Sequence, residues 1–89
     1  MARVLISLKI FPSDVDVDRE VLKQKIEKTL PNYASVYQFE EEPIAFGLVA
    51  VIAHILLPED KTGAVDEVEA SLRKIAEISE FQTLMARRV

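Results

Sequence analysis

Three carboxylates alternate with valine in Asp14-Val15-Asp16-Val17-Asp18, the spacing with which a calcium loop opens. Such a loop also needs a glycine at its sharp turn and a bidentate glutamate at its end; this chain has Arg19 and Lys25 there. The run therefore reads as a solvated turn that caps a helix, with its carboxylates near the helix N-terminus. His54 is the single histidine and lies inside an apolar run, with no cysteine and no obvious second ligand. It reads as a satisfied or rim-exposed strand residue. Ser7, Ser13, Ser35, Ser71 and Ser79 stand in no nucleophile-elbow setting. Gly47 and Gly63, the only glycines, build no phosphate loop. No catalytic residue, metal ligand or cofactor is expected. If a nucleotide is involved, another protein binds it.

Three features remain that could touch a partner. Glu40-Glu41-Glu42 is either a solvated turn or a patch that steers toward a basic surface. Arg87-Arg88, beside Val89, is either charge that blunts a fraying strand end or a cationic tip suited to carboxylates, phosphates or a pocket otherwise filled by a metal cation. Phe46 sits between Pro43 and Gly47, at the entry to the long apolar run. It is either a core aromatic or an exposed interface anchor.

The elements that position these residues follow from periodicity. Val4, Ile6, Leu8 and Ile10 alternate with Arg3, Leu5, Ser7 and Lys9, a strand whose Leu5 points to partial cover on both faces. Asp18 is the expected N-cap of the next element, with Val17 and Leu22 at the positions of a hydrophobic staple. Val21, Leu22, Ile26 and Leu30 keep helical spacing, Lys23, Lys25, Glu27 and Lys28 face water, and Pro31 stops the helix. Ala34 to Glu41 is an imperfectly alternating strand, expected at an edge or carrying a bulge. Phe46 to Leu57 is nearly all apolar, as in a central strand covered on both faces. Pro58 to Gly63 is a turn; Val65, Val68, Leu72, Ile75 and Ala76 mark a second amphipathic helix; Phe81 to Arg88 closes as a strand. The order predicts an α+β ferredoxin-like βαββαβ sandwich, a four-stranded antiparallel sheet with two helices on one face and the first and third strands central.

Composition narrows the classes. The 89 residues are 49% hydrophobic and 29% charged, enough for one domain over residues 1–89 with a modest core. The absence of cysteine excludes a disulfide framework and a thiolate metal site and fits a reducing, cytoplasmic setting. No signal-peptide pattern opens the chain, and the run from Ile44 to Leu57 is too short for a membrane span. A net charge of −4 without a basic stripe argues against direct nucleic-acid binding.

With Glu41-Glu42-Pro43-Ile44-Ala45-Phe46-Gly47-Leu48, Asp16-Val17-Asp18 and Arg87-Arg88 read beside the strand order, the chain resembles archaeal translation elongation factor 1-beta over nearly its whole length. The resemblance implies a ferredoxin-like exchange domain that promotes GDP release and GTP reloading on elongation factor 1-alpha, with no covalent chemistry of its own. In eukaryotic relatives an aromatic in a Pro-Ile-Gly-Phe-Gly setting contacts the GTPase, and a penultimate lysine reaches toward the magnesium site. Carried over, the partner-binding residues are Phe46 with Pro43 and Gly47, and Arg88 or, with a one-residue shift, Arg87. The free protein is expected to be a monomer. The alternative is a ferredoxin-like regulatory or self-associating module without exchange activity, in which Phe46 is core. A third reading, an RNA-binding sheet, would use Tyr37 and Phe39 as stackers.

Overall fold

A computed structural model describes residues 3–89. Strand β1 runs Arg3–Pro12, helix α1 Arg19–Thr29, strand β2 Ser35–Pro43, strand β3 Val49–Pro58, helix α2 Ala64–Arg73 and strand β4 Ile78–Arg88. The sheet is antiparallel with strand order β2-β3-β1-β4. This is the ferredoxin-like α+β fold, with the two most apolar strands, β1 and β3, at its centre.

Alternation fixes which face is buried. Ile6, Leu8 and Ile10 of β1 pair with Ile55, Ala53 and Val51 of β3, and all six are fully buried. They meet Leu22, Ile26, Val68 and Leu72 from the two helices. The opposite register carries Leu5, Ser7 and Lys9 opposite Leu56, His54 and Ile52. On that second face Leu5 and Ser7 are also buried, so β1 is covered on both sides as Leu5 suggests. Each full burial of a Leu or Ile contributes about 1.5–3 kcal/mol, and the central strand pair and the two helices share that gain in one cluster.

The helix ends follow their capping chemistry. The Asp18 carboxylate accepts from the Glu20 and Val21 amides, satisfying donors that the first turn leaves free. Val17 packs against the core one residue before that cap, and Leu22 is buried four residues after it, the staple arrangement. Gly63 precedes α2 with φ +76, a left-handed conformation that glycine adopts without a Cβ penalty.

Several boundaries differ from the sequence expectation. β3 starts at Val49 rather than Phe46, because the residues before it form a tight turn. α2 ends at Arg73, and β4 begins at Ile78 rather than Phe81. Val65 and Ala76 are exposed, so the buried stripe of α2 is Ala64, Val68, Ser71 and Leu72, with Ile75 buried just past its end. Val21 is exposed too, leaving Leu22 and Ile26 as the core residues of α1. Apolar spacing identified each helix but not which of two adjacent apolar residues faces the sheet.

Both edge strands are irregular. β2 shifts register between Val36 and Gln38, which leaves Tyr37 unpaired and exposed. In β4, Leu84 and Ser79 fall at two register shifts against β1. Such bulges twist an edge away from further strand pairing.

Candidate functional site

The β2–β3 connection is a tight hairpin in which Pro43 lies opposite Val49 and Ala45–Gly47 form a single helical turn at the tip. The Ile44 amide donates to the Leu48 carbonyl at 2.8 Å, and the Leu48 amide donates to the Ala45 carbonyl at 3.3 Å. The two residues inside that turn, Phe46 and Gly47, have φ of 62° and 78°. Positive φ at both central positions is the type I′ pattern, which matches the twist of paired strands and normally takes Asn-Gly or Gly-Gly. Phe46 is the one non-glycine residue with positive φ among the described residues. An L residue with a bulky side chain is disfavoured there by roughly 1–2 kcal/mol. The ring is 95% exposed, so no packing within the chain offsets that cost. Of the two readings left open by the sequence, the structure takes the exposed one. Pro43 ends β2 and Gly47 completes the turn, so Pro43, Phe46 and Gly47 lie together at one end of the sheet.

The β1–α1 loop lies beside this hairpin: a Cβ placed on Gly47 would stand 3.9 Å from Val15 Cγ1. Val15 is the partner-facing candidate that sequence reading missed. The sequence carried no signal for it: strand-like alternation would put Val15 and Val17 on one face, and it is the turn at residues 14–17 that leaves Val15 exposed while Val17 packs on the core.

The arginines occupy the other end. Arg88 lies opposite Val4 and Arg87 opposite Leu5, whereas Val51, just inside the hairpin, lies opposite Ile10. Six residues along β1 at about 3.3 Å each put more than about 20 Å between the two ends. Phe46 and the arginines therefore stand at opposite ends of the sheet. The alternation also separates the arginines from each other. Arg88 is in the helix-facing register with Val4 and forms an ion pair with Glu59 at 2.6 Å; Arg87 is in the open-face register with Leu5. Glu59 and Arg88 line an open groove of about 840 Å³ together with Arg3, Tyr33 and Asp60. Glu59 had no sequence signal as an arginine partner, because the contact joins segments distant in the chain.

The glutamate run is not a turn. Glu40, Glu41 and Glu42 lie within β2 and each is engaged. Glu40 accepts from His54, and Glu42 pairs with Lys9. Glu41 accepts from Arg19 at 3.0 Å and from Lys23 at 2.9 Å, on the helix-facing side. The Lys23 hydrogen bond holds the Glu41 carboxyl below its ordinary value and raises the Lys23 ammonium above its own. Lys25 holds Glu77 low in the same way.

His54 is satisfied on both ring nitrogens. The Ser7 hydroxyl lies 2.7 Å from Nδ1, and Glu40 accepts at Nε2. In the neutral ring, a carboxylate acceptor at Nε2 puts the proton on that nitrogen and makes Nδ1 the acceptor for Ser7. Among the described residues no three acids or histidines converge as a metal site. Asp14 and Asp18 turn their carboxylates on backbone amides instead. Phe39 packs against the helix-facing core, so it cannot serve as a stacker on the open sheet face. No helix of the described residues is long and apolar enough to cross a membrane.

The family model for the EF-1 guanine nucleotide exchange domain matches residues 5–89. The chain is similar to elongation factor 1-beta of Staphylothermus marinus, at 36% identity over all of this chain and 99% of the relative. It is similar to that of Methanobrevibacter smithii at 39% over the same shares. The similarity to the Methanoculleus marisnigri factor is 49% over 84% of this chain and 83% of the relative. Among solved structures, the C-terminal domain of the MgtC protein from Mycobacterium tuberculosis matches 98% of this chain and 87% of its own, with a TM-score of 0.58 at 11% identity. That likeness is one of fold alone.

Proposed function

The chain belongs to the EF-1 guanine nucleotide exchange domain family, and from that membership we infer that residues 1–89 act as one exchange domain, promoting GDP release from elongation factor 1-alpha and its reloading with GTP during polypeptide elongation. The observation that carries this reading is Phe46: a large apolar ring, 95% exposed, held in a left-handed turn position. Backbone strain of that kind at an exposed aromatic has no use in the free fold and an evident one in docking.

The mechanism needs no covalent step. An exchange factor binds the nucleotide-free GTPase more tightly than the loaded one, and linkage requires that it weaken nucleotide binding by the same factor. GDP is held because a magnesium ion neutralises phosphate charge and switch segments order around it. Phe46, with Pro43 and Gly47, anchors one end of the sheet on the GTPase. Arg87 and Arg88 bring cationic charge to a second place more than about 20 Å away, where it competes with the metal for anionic groups. The side-by-side strands β3, β1 and β4 join the hairpin to the arginine end.

The test is release of a fluorescent GDP analogue from the elongation factor 1-alpha of the same source, with this protein at substoichiometric concentration. Acceleration is the expected result. No acceleration over a range of magnesium concentrations would overturn the exchange reading and favour a regulatory or self-associating module.

A further inference from the structure

The loop that places Val15 beside the Phe46 hairpin is built to hold that side chain outward. Asp14 Oδ1 accepts from the Asp16 amide at 3.3 Å, and the Asp14 carbonyl accepts from the Val17 amide at 3.3 Å. The chain is thereby turned back on itself with Val15 at the apex. Val17 goes to the core and Asp18 to the helix cap, and Val15 remains 53% exposed against the hairpin that carries Phe46. Two apolar side chains from separate loops thus share one end of the sheet, uncovered.

The charges flanking Val15 differ from those of the glutamate run on β2. Glu40, Glu41 and Glu42 are each bound to a cation or a histidine within the chain. Asp14 and Asp16 are exposed, and among the described residues neither makes an ion pair. Uncompensated carboxylates beside an apolar contact favour a partner surface of opposite sign and repel an acidic one.

We propose that Val15 and Phe46 form one docking surface, rimmed by Asp14 and Asp16, and that the GTPase meets it with an apolar pocket bordered by lysine or arginine side chains. This rests on the exchange reading above and extends it to the partner's chemistry. Phe46 supplies the buried anchor, Val15 the adjacent contact that excludes water from it, and the aspartates speed and orient the encounter.

The experiment is GDP-analogue release at varied GTPase concentration and at low and high salt, with the full chain. Val15→Ser is expected to raise KM about 5-fold with kcat nearly unchanged, as removal of a rim contact does. Asp14→Asn/Asp16→Asn keeps a side-chain oxygen for the loop hydrogen bond; it is expected to raise KM several-fold at low salt, to match the wild type near 0.5 M salt, and so to flatten the salt dependence. The unfolding midpoints of both variants are expected to stay at the wild-type value. Wild-type KM and salt dependence in both variants, or a steeper salt dependence in the aspartate variant, would overturn the docking surface while leaving the exchange reading intact. A wild-type protein that accelerates nothing would remove the exchange reading itself, and this surface with it.

Discussion

Truncating Phe46 separates an interface anchor from a core residue by more than an order of magnitude. The ring is 95% exposed, so Phe46→Ala re-exposes about a twentieth of a side chain that can bury about 200 Å². At about 25 cal/mol per Å² the stability lost is about 0.3 kcal/mol. A buried phenylalanine cut to alanine would instead cost about 3–5 kcal/mol. In a complex, loss of an aromatic anchor costs about 2 kcal/mol or more, about 30-fold in affinity. Phe46→Gly adds a second lever. Glycine at φ 62° is free of the Cβ clash. Relief of about 1–2 kcal/mol of strain, reduced by the larger chain entropy of unfolded glycine, leaves this variant as stable as the wild type or slightly more so. Exchange and stability should therefore move in opposite directions. The assays are denaturant unfolding for the midpoint and GDP-analogue release from the GTPase for KM and kcat. A drop of 3 kcal/mol or more in stability for Phe46→Ala would refute the exposed turn. An unchanged exchange rate with intact stability would refute the anchor.

Other outcomes follow from the same geometry. Arg87→Ala and Arg88→Ala should each spare folding, since the Arg88–Glu59 pair is a surface contact worth about 0–1 kcal/mol; in the release assay at least one should slow exchange, and wild-type rates in both would remove the cationic contact. Ser7→Ala should destabilise by about 1 kcal/mol, because it removes the hydrogen bond between the buried Ser7 hydroxyl and the half-buried His54 ring; exchange per folded molecule should be unchanged. Stability should fall on acidification. The Lys23 hydrogen bond lowers the folded-state value of Glu41, and the Lys25 hydrogen bond that of Glu77, below the ordinary 4.5, so their contribution is present above about pH 4.5 and is lost as pH falls through the lowered values. Lys23 acts in the opposite direction: raised above 10.5, it contributes fully below that pH and loses its contribution as pH climbs through the raised value. Thermal unfolding against pH checks both limbs, and Glu41→Gln should flatten each of them.

Sequence periodicity set out the element order, the central place of β1 and β3, and the capping of α1 by Asp18. These depend on local alternation, helical spacing and a short-range hydrogen bond, and all three can be read from neighbouring residues. The irregular second strand was legible as well, since a bulge disturbs alternation directly. Helix faces were read less well: Val21 and Val65 fit the spacing, but which of two adjacent apolar residues turns inward depends on how the helix is rotated against the sheet. The Pro43–Gly47 motif flagged the hairpin, yet the exposure of Phe46 was open, because a turn residue can fold over a core or stand clear of it. The folded structure decided that: the turn closed by Leu48 on Ile44 and Ala45 holds Phe46 at positive φ, and the ring stands clear of the chain. It also decided the pairing of every residue in Glu40 to Glu42, the contact of Val15 with the hairpin, the hold of Glu59 on Arg88, and the opposite ends occupied by Phe46 and the arginines. Each of these joins segments far apart along the chain, and only the register of four strands and the packing of two helices bring such segments together.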